Sequence, residues 1–350
     1  NVRQVRKNKG KMTDKDLTDD VCGVCNRYDL PNQGKERVHW IGCDDCNAWF
    51  HQLCVKISPR EAKESTKWRC QNCSTAGLAS IEFEGPKDRM EILSWNVNGI
   101  RSWIKKGGIN AVQKLDPDIV LLQEIKLGKR GFPTTAEIDG YHVFYKPGEK
   151  LGYSGVATLS KKKPLSVSFG MHNAEENASD AGRVLTLEFH DVYIVNVYVP
   201  NAGLHCEKLQ ARLEFDARLL DYVTGLAATK KTIVGGDFNV AHDARDVDHR
   251  ERFDMEQKHG DKISCYTSGE RKNFSALCEA GFKDVFRELH PTERKYTAYE
   301  TANKMRHNRG WRLDYFLASD EIDSSTACSD ILNGPSISDH VPILLCLRCS

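Results

Sequence analysis

From about Met90 onward the chain alternates short apolar runs with polar, glycine-containing breaks. The runs are Ile92–Trp95, Ile119–Leu122, Val143–Tyr145, Val156–Leu159, Val184–Phe189, Val192–Val199, Thr232–Val234, Leu313–Leu317 and Val341–Leu347. Several are dense in β-branched residues and several alternate apolar with polar, which is the period of a strand. Helical periodicity is clearest from Glu207 to Leu226, where Leu209, Leu213, Leu219, Tyr222 and Leu226 recur at mostly three- and four-residue steps. A second helix is expected over Asn273 to Ala280, stopped by Gly281. Many strands and few, well-spaced helices predict an α/β fold, a two-sheet sandwich flanked by helices. The longest apolar run, Val192–Val199, is too short to span a bilayer.

Ahead of the strands the composition changes. Asn1 to Lys11 carries Arg3, Arg6, Lys7, Lys9 and Lys11 without an acid, so 1–20 is expected to be a basic flexible tail. Residues 21–74 are cysteine-rich, 75–89 with Gly85-Pro86 reads as a linker, and 90–350 forms the large domain. Over 350 residues, Lys+Arg 50 against Asp+Glu 49 leaves a formal charge of +1, which excludes a global basic field. Any nucleic-acid contact must therefore be a local patch. A hydrophobic share of 40% supports a sizeable core and excludes disorder of the whole. Of 13 cysteines, seven fall between Cys22 and Cys73. The scattered others (Cys206, Cys265, Cys278, Cys328, Cys346 and Cys349) are expected to be the reduced thiols of an intracellular protein.

The cysteine-rich segment reads Cys22-x2-Cys25, Cys43-x2-Cys46, His51-x2-Cys54 and Cys70-x2-Cys73. Two intervening residues let one knuckle place two donors about 3–4 Å apart on a tetrahedral ion. Four such pairs make two closed zinc sites, structural and not catalytic, whose metal would drive folding of so small a segment. This ligand order resembles a PHD finger. The resemblance implies cross-braced ligation, with Cys22, Cys25, His51 and Cys54 on one Zn²⁺ and Cys43, Cys46, Cys70 and Cys73 on the other. Trp68, two residues before Cys70, would be a packing aromatic. Trp49, two before His51, and Trp40, three before Cys43, resemble cage positions of methyl-lysine-reading PHD fingers. A quaternary ammonium is held there by cation–π attraction of roughly 0.5–2 kcal/mol per contact. The expected partner is then a methylated tail of core histone three, at lysine 4. Two other readings stand: both tryptophans support the zinc fold, or the finger binds an unmodified tail. Asp44, Asp45 and Glu36 would pair histone charges or simply face solvent.

In the large domain, polar residues gather at the ends of strand runs. Glu124 follows Ile119–Leu122, Gly235-Gly236-Asp237-Phe238-Asn239 follows Thr232–Val234, and Ser338-Asp339-His340 precedes the last run. Oxygen donors without paired thiols favour a hard ion such as Mg²⁺ or Mn²⁺, and a histidine beside them suggests hydrolysis of a phosphate ester. Singly each cluster is weak, since Asp and Asn after a strand usually cap a turn. Together they occur in one order: Ser94-Trp-Asn-Val-Asn-Gly-Ile-Arg101, Leu122-Gln-Glu-Ile-Lys126, Tyr153-Ser-Gly-Val156, Tyr198-Val-Pro-Asn-Ala-Gly203, Gly236-Asp-Phe-Asn-Val-Ala-His242, Gly310-Trp-Arg-Leu-Asp-Tyr-Phe316 and Ser338-Asp-His-Val-Pro342. That order resembles the exonuclease III-type class II apurinic/apyrimidinic (AP) endonucleases of the endonuclease/exonuclease/phosphatase superfamily, from about Met90 to Leu347.

The resemblance implies roles residue by residue. Glu124 and Asn98 would hold Mg²⁺ directly or through water, with Asp339 near a second or alternate position. Asp237 and Asn239 would orient and deprotonate the attacking water, Asp314 would pair with His340, and Asn96 would hold the cluster together. Tyr198 would donate to the phosphate or leaving oxygen. Asn201 would touch the scissile phosphate, Tyr153 the DNA backbone, and Trp311 with Leu313 would line the abasic-sugar pocket. The cut would lie 5′ to the lesion in double-stranded DNA. Lys105-Lys106 and Lys161-Lys162-Lys163 would contact phosphates or stand solvated in loops. Of the nearby histidines, His205 and His242 are expected in surface or core duty.

Two positions depart from the family pattern. Ala298, followed by Tyr299, stands where a large aromatic usually walls the pocket, and Leu204, followed by His205, stands where animal-type enzymes often insert an Arg. A wider pocket would favour 3′-exonuclease or nucleotide-incision activity. The leading expectation is a nuclear, monomeric DNA-repair nuclease delivered to chromatin by its finger. The alternatives are a chromatin-binding protein with a vestigial nuclease domain and a retroelement-type endonuclease that nicks intact DNA.

Overall fold

The computed structural model describes residues 39–43, 49–55, 57–64, 89–128, 131–171, 180, 182–248, 262–301, 304–305, 308–319, 327–332 and 337–348. In the N-terminal part, β1 (Trp40–Gly42) and β2 (Trp49–His51) pair antiparallel with Trp40 opposite His51, and helix α1 (Pro59–Glu64) follows.

The large domain is an α/β sandwich. Its strands are β3 (Arg89–Asn96), β4 (Ile119–Gln123), β5 (His142–Lys146), β6 (Val156–Ser160), β7 (Ser166–Phe169), β8 (Val184–Glu188), β9 (Val192–Tyr198), β10 (Lys231–Asp237), β11 (Lys283–Asp284), β12 (Asp314–Ala318), β13 (Ala327–Ile331) and β14 (Ile343–Arg348). They form two six-stranded sheets, ordered β13-β14-β3-β4-β6-β5 and β11-β12-β10-β9-β8-β7. Every apolar run of the sequence is a strand. The short β7, β11 and β13 carry no such run, and their pairing partners define them instead.

Central strands bury both faces, which is why they read as continuous apolar runs. Ile92, Leu121, Ile194, Ile233 and Phe316 meet between the sheets. Their neighbours Leu93, Val120 and Leu122 turn outward beneath α2 (Ile100–Lys105) and α3 (Gly108–Leu115). On the other sheet Val195 and Val234 turn outward toward Phe215, Leu219 and Val223 of α4 (Leu209–Ala227) and Phe274 of α5 (Ser268–Glu279). Helix α5 starts five residues before its expected Asn273. Thr267 and Glu270 form a capping box there, and Gly281 ends the helix at φ +104°.

Among the described residues, two strand pairs are parallel, β3/β4 and β9/β10. A parallel pair needs a crossover, supplied here by α2 with α3 and by α4. Their carboxyl ends bring Asn96 beside Gln123, and Tyr198 beside Asp237. Antiparallel β12 adds Asp314 opposite Asp237. Gly235 and Gly236 allow the close approach needed there, because a Cβ would lie 2.5 Å from the Phe316 ring and 1.9 Å from the Val197 carbonyl respectively. Between the sheets, Gln123 Nε2 donates to Ser94 Oγ (3.0 Å) and, across the gap, to Asn196 Oδ1 (2.8 Å). Asn196 Nδ2 returns to the Ala157 carbonyl at 2.8 Å.

One expectation is corrected. Cys328 and Cys346 are not reduced thiols but a disulfide across β13/β14, where they are register partners with Cα atoms 5.0 Å apart. Eighteen residues separate them, and only strand register makes them neighbours. Cys206, Cys265 and Cys278 take part in no disulfide among the described residues, and Cys349 lies outside them.

Candidate active site

The strand ends converge on one polar cluster. Asn96, buried at the end of β3, donates through Nδ2 to Glu124 Oε1 (2.9 Å) and Asp237 Oδ2 (2.9 Å), joining the two sheets. Its Oδ1 accepts from the Asn98 backbone N–H at 3.0 Å. Asp237 Oδ1 accepts from the Asn239 N–H (2.8 Å), and Asn239 Nδ2 is fixed by the Val199 carbonyl (2.9 Å). His340 Nδ1 lies 2.7 Å from Asp314 Oδ2. Ligand-capable atoms of Asp237, Asp314 and His340 all fall within 4.8 Å of one another. Asn98 Nδ2 donates to Asp339 Oδ2 at 2.9 Å, and Ser338 Oγ donates to the Asn96 carbonyl at 2.8 Å.

Burial and crowding set the charges. Burial, then the Asp314 charge, pushes the Asp237 carboxyl up to about 7, near the value suited to a base at neutral pH. Burial opposes the His340 imidazolium, but the Asp314 carboxylate outweighs it and raises the ring to about 10. The charged form of the ring is thus favoured, with Nδ1 committed to Asp314. Burial also works against the Glu124 carboxylate, yet hydrogen bonds from Asn96 and Lys126 leave it below the ordinary range. Asp339 is likewise lowered, because the His340 charge and Asn98 overcome burial. Burial, with Glu124 and Asp237 nearby, keeps the Tyr198 phenol protonated as a donor. Arg183 lies over the Tyr198 ring at 4.9 Å and over the exposed Tyr153 at 5.6 Å.

The donor set fits a hard divalent cation. Glu124 Oε2 and Asn98 Oδ1 both face a positive charge already, the Lys126 ammonium, at 2.6 Å in the first case. Oxygen donors that cradle a cation and contain no thiolate suit Mg²⁺ or Mn²⁺.

Next to this centre, Ala298, Leu313, Tyr266 and Val247 pack together with Trp311 against them. Ala298 bridges to Trp311 on one side and to His340 on the other. Tyr299 does not join this group. Its ring turns into the core between the sheets, and its hydroxyl donates to the Tyr296 carbonyl at 3.0 Å. Tyr266 meets Trp311 edge-to-face at 6.2 Å instead, with Arg271 over its ring at 4.6 Å. Asn201 Nδ2 donates to Asn239 Oδ1 at 3.2 Å, while Ser264 Oγ donates to Asn201 Oδ1 at 3.0 Å. Leu204, three residues on, is 81% exposed, and His205 is exposed beside it. His242 has core duty, with Nε2 at 2.9 Å from Ser275 Oγ and its ring on Phe274.

Of the expected zinc ligands, Cys43, His51 and Cys54 are described, whereas Cys22, Cys25, Cys46, Cys70 and Cys73 lie outside the described residues, as do Glu36, Asp44, Asp45 and Trp68. Cys54 Sγ is 3.7 Å from His51 Nδ1, a separation that suits two donors of one tetrahedral ion. Trp40 is 5% exposed and meets the His51 ring at 4.1 Å.

Sequence reasoning gave no role to Lys126, Arg183, Ser338 or Tyr266. Lys126 stood inside a quoted motif, and the Thr267-x-x-Glu270 capping box next to Tyr266 was the signal available for that segment.

Residues 93–340 match the model of the Endonuclease/Exonuclease/phosphatase family, and residues 22–73 match that of the PHD-finger. The chain is 40% identical over 272 residues to the DNA repair nuclease APEX1 of Danio rerio, covering 75% of this chain and 84% of that protein. It is 34% identical to the exodeoxyribonuclease of Bacillus subtilis, covering 74% of this chain and all of that one. Among solved structures, the AP endonuclease LMAP from Leishmania major superposes with a TM-score of 0.66 at 26% identity, covering 76% of this chain and 90% of that one. The 3′ phosphatase NExo from Neisseria, bound to a product DNA hairpin, superposes with a TM-score of 0.62 at 28% identity, covering 73% and 98%.

Proposed function

Because the chain belongs to the endonuclease/exonuclease/phosphatase family and carries a PHD finger, we propose that it is a divalent-cation-dependent DNA repair nuclease that cleaves 5′ to abasic sites. The observation that carries this reading is the Asp314–His340 pair beside Asp237, tied through Asn96 to Glu124. Asp237, raised to about 7, takes a proton from the attacking water while Asn239 orients it. Cationic His340, held by Asp314, donates to a phosphate oxygen as charge builds. Tyr198, kept protonated, donates to the phosphate or the leaving oxygen, and Asn201 contacts the scissile phosphate. Glu124 and Asn98, with Asp339 close by, would hold the divalent cation, which when bound would add neutralisation of the phosphate charge. Tyr153 contacts the DNA backbone, and Trp311 with Leu313 lines the sugar pocket. With Ala298 in that wall, 3′-exonuclease or nucleotide-incision activity accompanies the abasic cut.

The test is incision of an abasic-site duplex beside an intact control, with Mg²⁺ and with chelator. Cleavage 5′ to the lesion that chelator abolishes is expected. Equal nicking of the intact duplex would favour a retroelement-type endonuclease, and no cleavage of either would favour a chromatin-binding role for the chain.

For the finger, we infer two structural Zn²⁺ ions and recognition of a methylated lysine in a histone tail by Trp40 and Trp49, which would bring the nuclease to chromatin in the nucleus. Two cation–π faces at about 1 kcal/mol each imply roughly 30-fold preference for methylated over unmodified lysine. Calorimetric titration of the chain with histone-tail peptides should show this preference, and Trp49→Ala should abolish it at unchanged zinc content. Equal affinities would leave both tryptophans as supports of the zinc fold, a role in keeping with the contact between Trp40 and His51 in the case of Trp40.

A further inference from the structure

Lys126 is not a loosely tethered surface lysine. Asn98, Glu124 and Lys126 all hold left-handed backbone, at φ +43°, +51° and +47°, a conformation that non-glycine residues keep only where their surroundings enforce it. Those surroundings are a backbone lacing. Gly99 N–H donates to the Glu124 carbonyl (2.8 Å), Ile100 N–H to the Ile125 carbonyl (3.1 Å), and Lys126 N–H to the Ser154 carbonyl (2.9 Å). The lacing aims three side chains at one point. There the Lys126 ammonium meets Glu124 Oε2 at 2.6 Å and donates to Asn98 Oδ1 as a second partner, while the Asn98 amide N–H₂ donates to Asp339. The orientation of the Asn98 amide follows from this, with its oxygen toward the cation and its nitrogen toward the carboxylate.

We infer that Lys126 is the resident counter-ion of the cation cradle, a positioning residue that holds Glu124 and Asn98 in the ion-free protein and must withdraw when a divalent cation enters. The inference rests on the proposed reading of Glu124 and Asn98 as the cation site. A divalent ion on those two oxygens would share them with an ammonium, and like charges at such separation repel strongly in a partly dehydrated cleft. Asn98 contributes no charge, the Asp339 carboxylate is turned to the Asn98 amide, and Glu124 supplies the carboxylate that both cations contest, so Lys126 lowers the affinity for the incoming ion. With a side-chain exposure of 30%, the ammonium has water into which it can swing.

The test is titration of the zinc-loaded full chain with Mn²⁺, followed by electron paramagnetic resonance of the free ion, without DNA or turnover. Lys126→Met keeps the aliphatic stem and removes the charge, and it should tighten the Mn²⁺ Kd by about tenfold, the equivalent of ~1.4 kcal/mol. Lys126→Arg should leave the Kd within about twofold, since the charge that sets it is kept. Glu124→Gln should eliminate this class of site. Thermal unfolding checks that each variant is folded, and Lys126→Gln serves if the Met variant is not. An unchanged or weaker Kd in the uncharged variants, with the site still lost in Glu124→Gln, would overturn the counter-ion role alone. Persistence of the site in Glu124→Gln would overturn the reading of the cradle itself.

Discussion

The polar centre around Asp237 and the rim around Trp311 are built differently. In the centre, Asp237, Asp314 and Asn96 stand on strands in register, and each makes hydrogen bonds to neighbours in the same cluster or to side chains brought by the other sheet. At the rim, Trp311, Ala298 and Tyr266 sit outside the extended strands, joined by isolated bridges and ring contacts, and Leu204 stands in water. Strand register fixes which residues of the first group stand opposite one another, whereas loop packing constrains the second more loosely. On the proposed reading, chemistry belongs to the part of the molecule that sequence change disturbs most severely, and selectivity to the more loosely built rim that contains Ala298.

The sharpest way to break this contrast is at the centre. Asp237→Asn or His340→Asn should lower kcat for abasic-site incision by about 10²- to 10⁴-fold, with the preference for abasic over intact DNA retained. Single-turnover kinetics on both duplexes, with thermal unfolding as control, measures this. Normal cutting by either variant would mean that the mechanism is misassigned.

A second variant asks whether the rim is anchored from behind. Arg312, between Trp311 and Leu313, is buried against both carboxylate oxygens of Asp246 (2.8 and 3.0 Å) and against Asp284 (2.6 Å). Asp246→Asn leaves buried positive charge underpaired and should cost about 3–5 kcal/mol in denaturant unfolding. Burial works against the Asp246 carboxylate, but Arg312 and Arg287 outweigh it and hold its pKa below the usual range. A depressed folded pKa means stability that is present above the unfolded value of about 3.9 and is lost as pH falls through the folded one. The gap between wild type and variant should accordingly narrow on acidification below about pH 4. A gap independent of pH would show that the carboxylate charge is not what stabilises this site.

The smallest expected effect is at the rim itself. Ala298→Phe should raise the ratio of abasic-site incision to 3′-exonuclease activity roughly tenfold, because a wall there excludes a base. An unchanged ratio would indicate that Tyr266 already closes the space beside Trp311.

The strands and α4 were legible because both faces of central strands are apolar and one helix face repeats. The residues of the centre were legible as polar breaks directly after such runs. What stayed hidden depends on register or on distant segments. The Cys328–Cys346 bond exists through the pairing of β13 with β14, Tyr266 meets Trp311 from 45 positions away, and Tyr299 turns inward although its neighbour Ala298 faces the rim. Lys126 was in plain view, but a lysine in a loop reads as solvated until its backbone is known to be left-handed.

The amide contact from Gln123 to Asn196 has a mechanical meaning. Apolar faces alone would let two sheets shear over one another at little cost, since one methyl contact replaces another. The buried Gln123 Nε2–Asn196 Oδ1 hydrogen bond resists such sliding, because a slip of one residue would strand that donor and acceptor in a medium without water. The pair acts as a key between two plates, sitting one residue before Glu124 on one plate and two before Tyr198 on the other. Glu124 and Tyr198 are thus set at a fixed offset from one another across the two sheets.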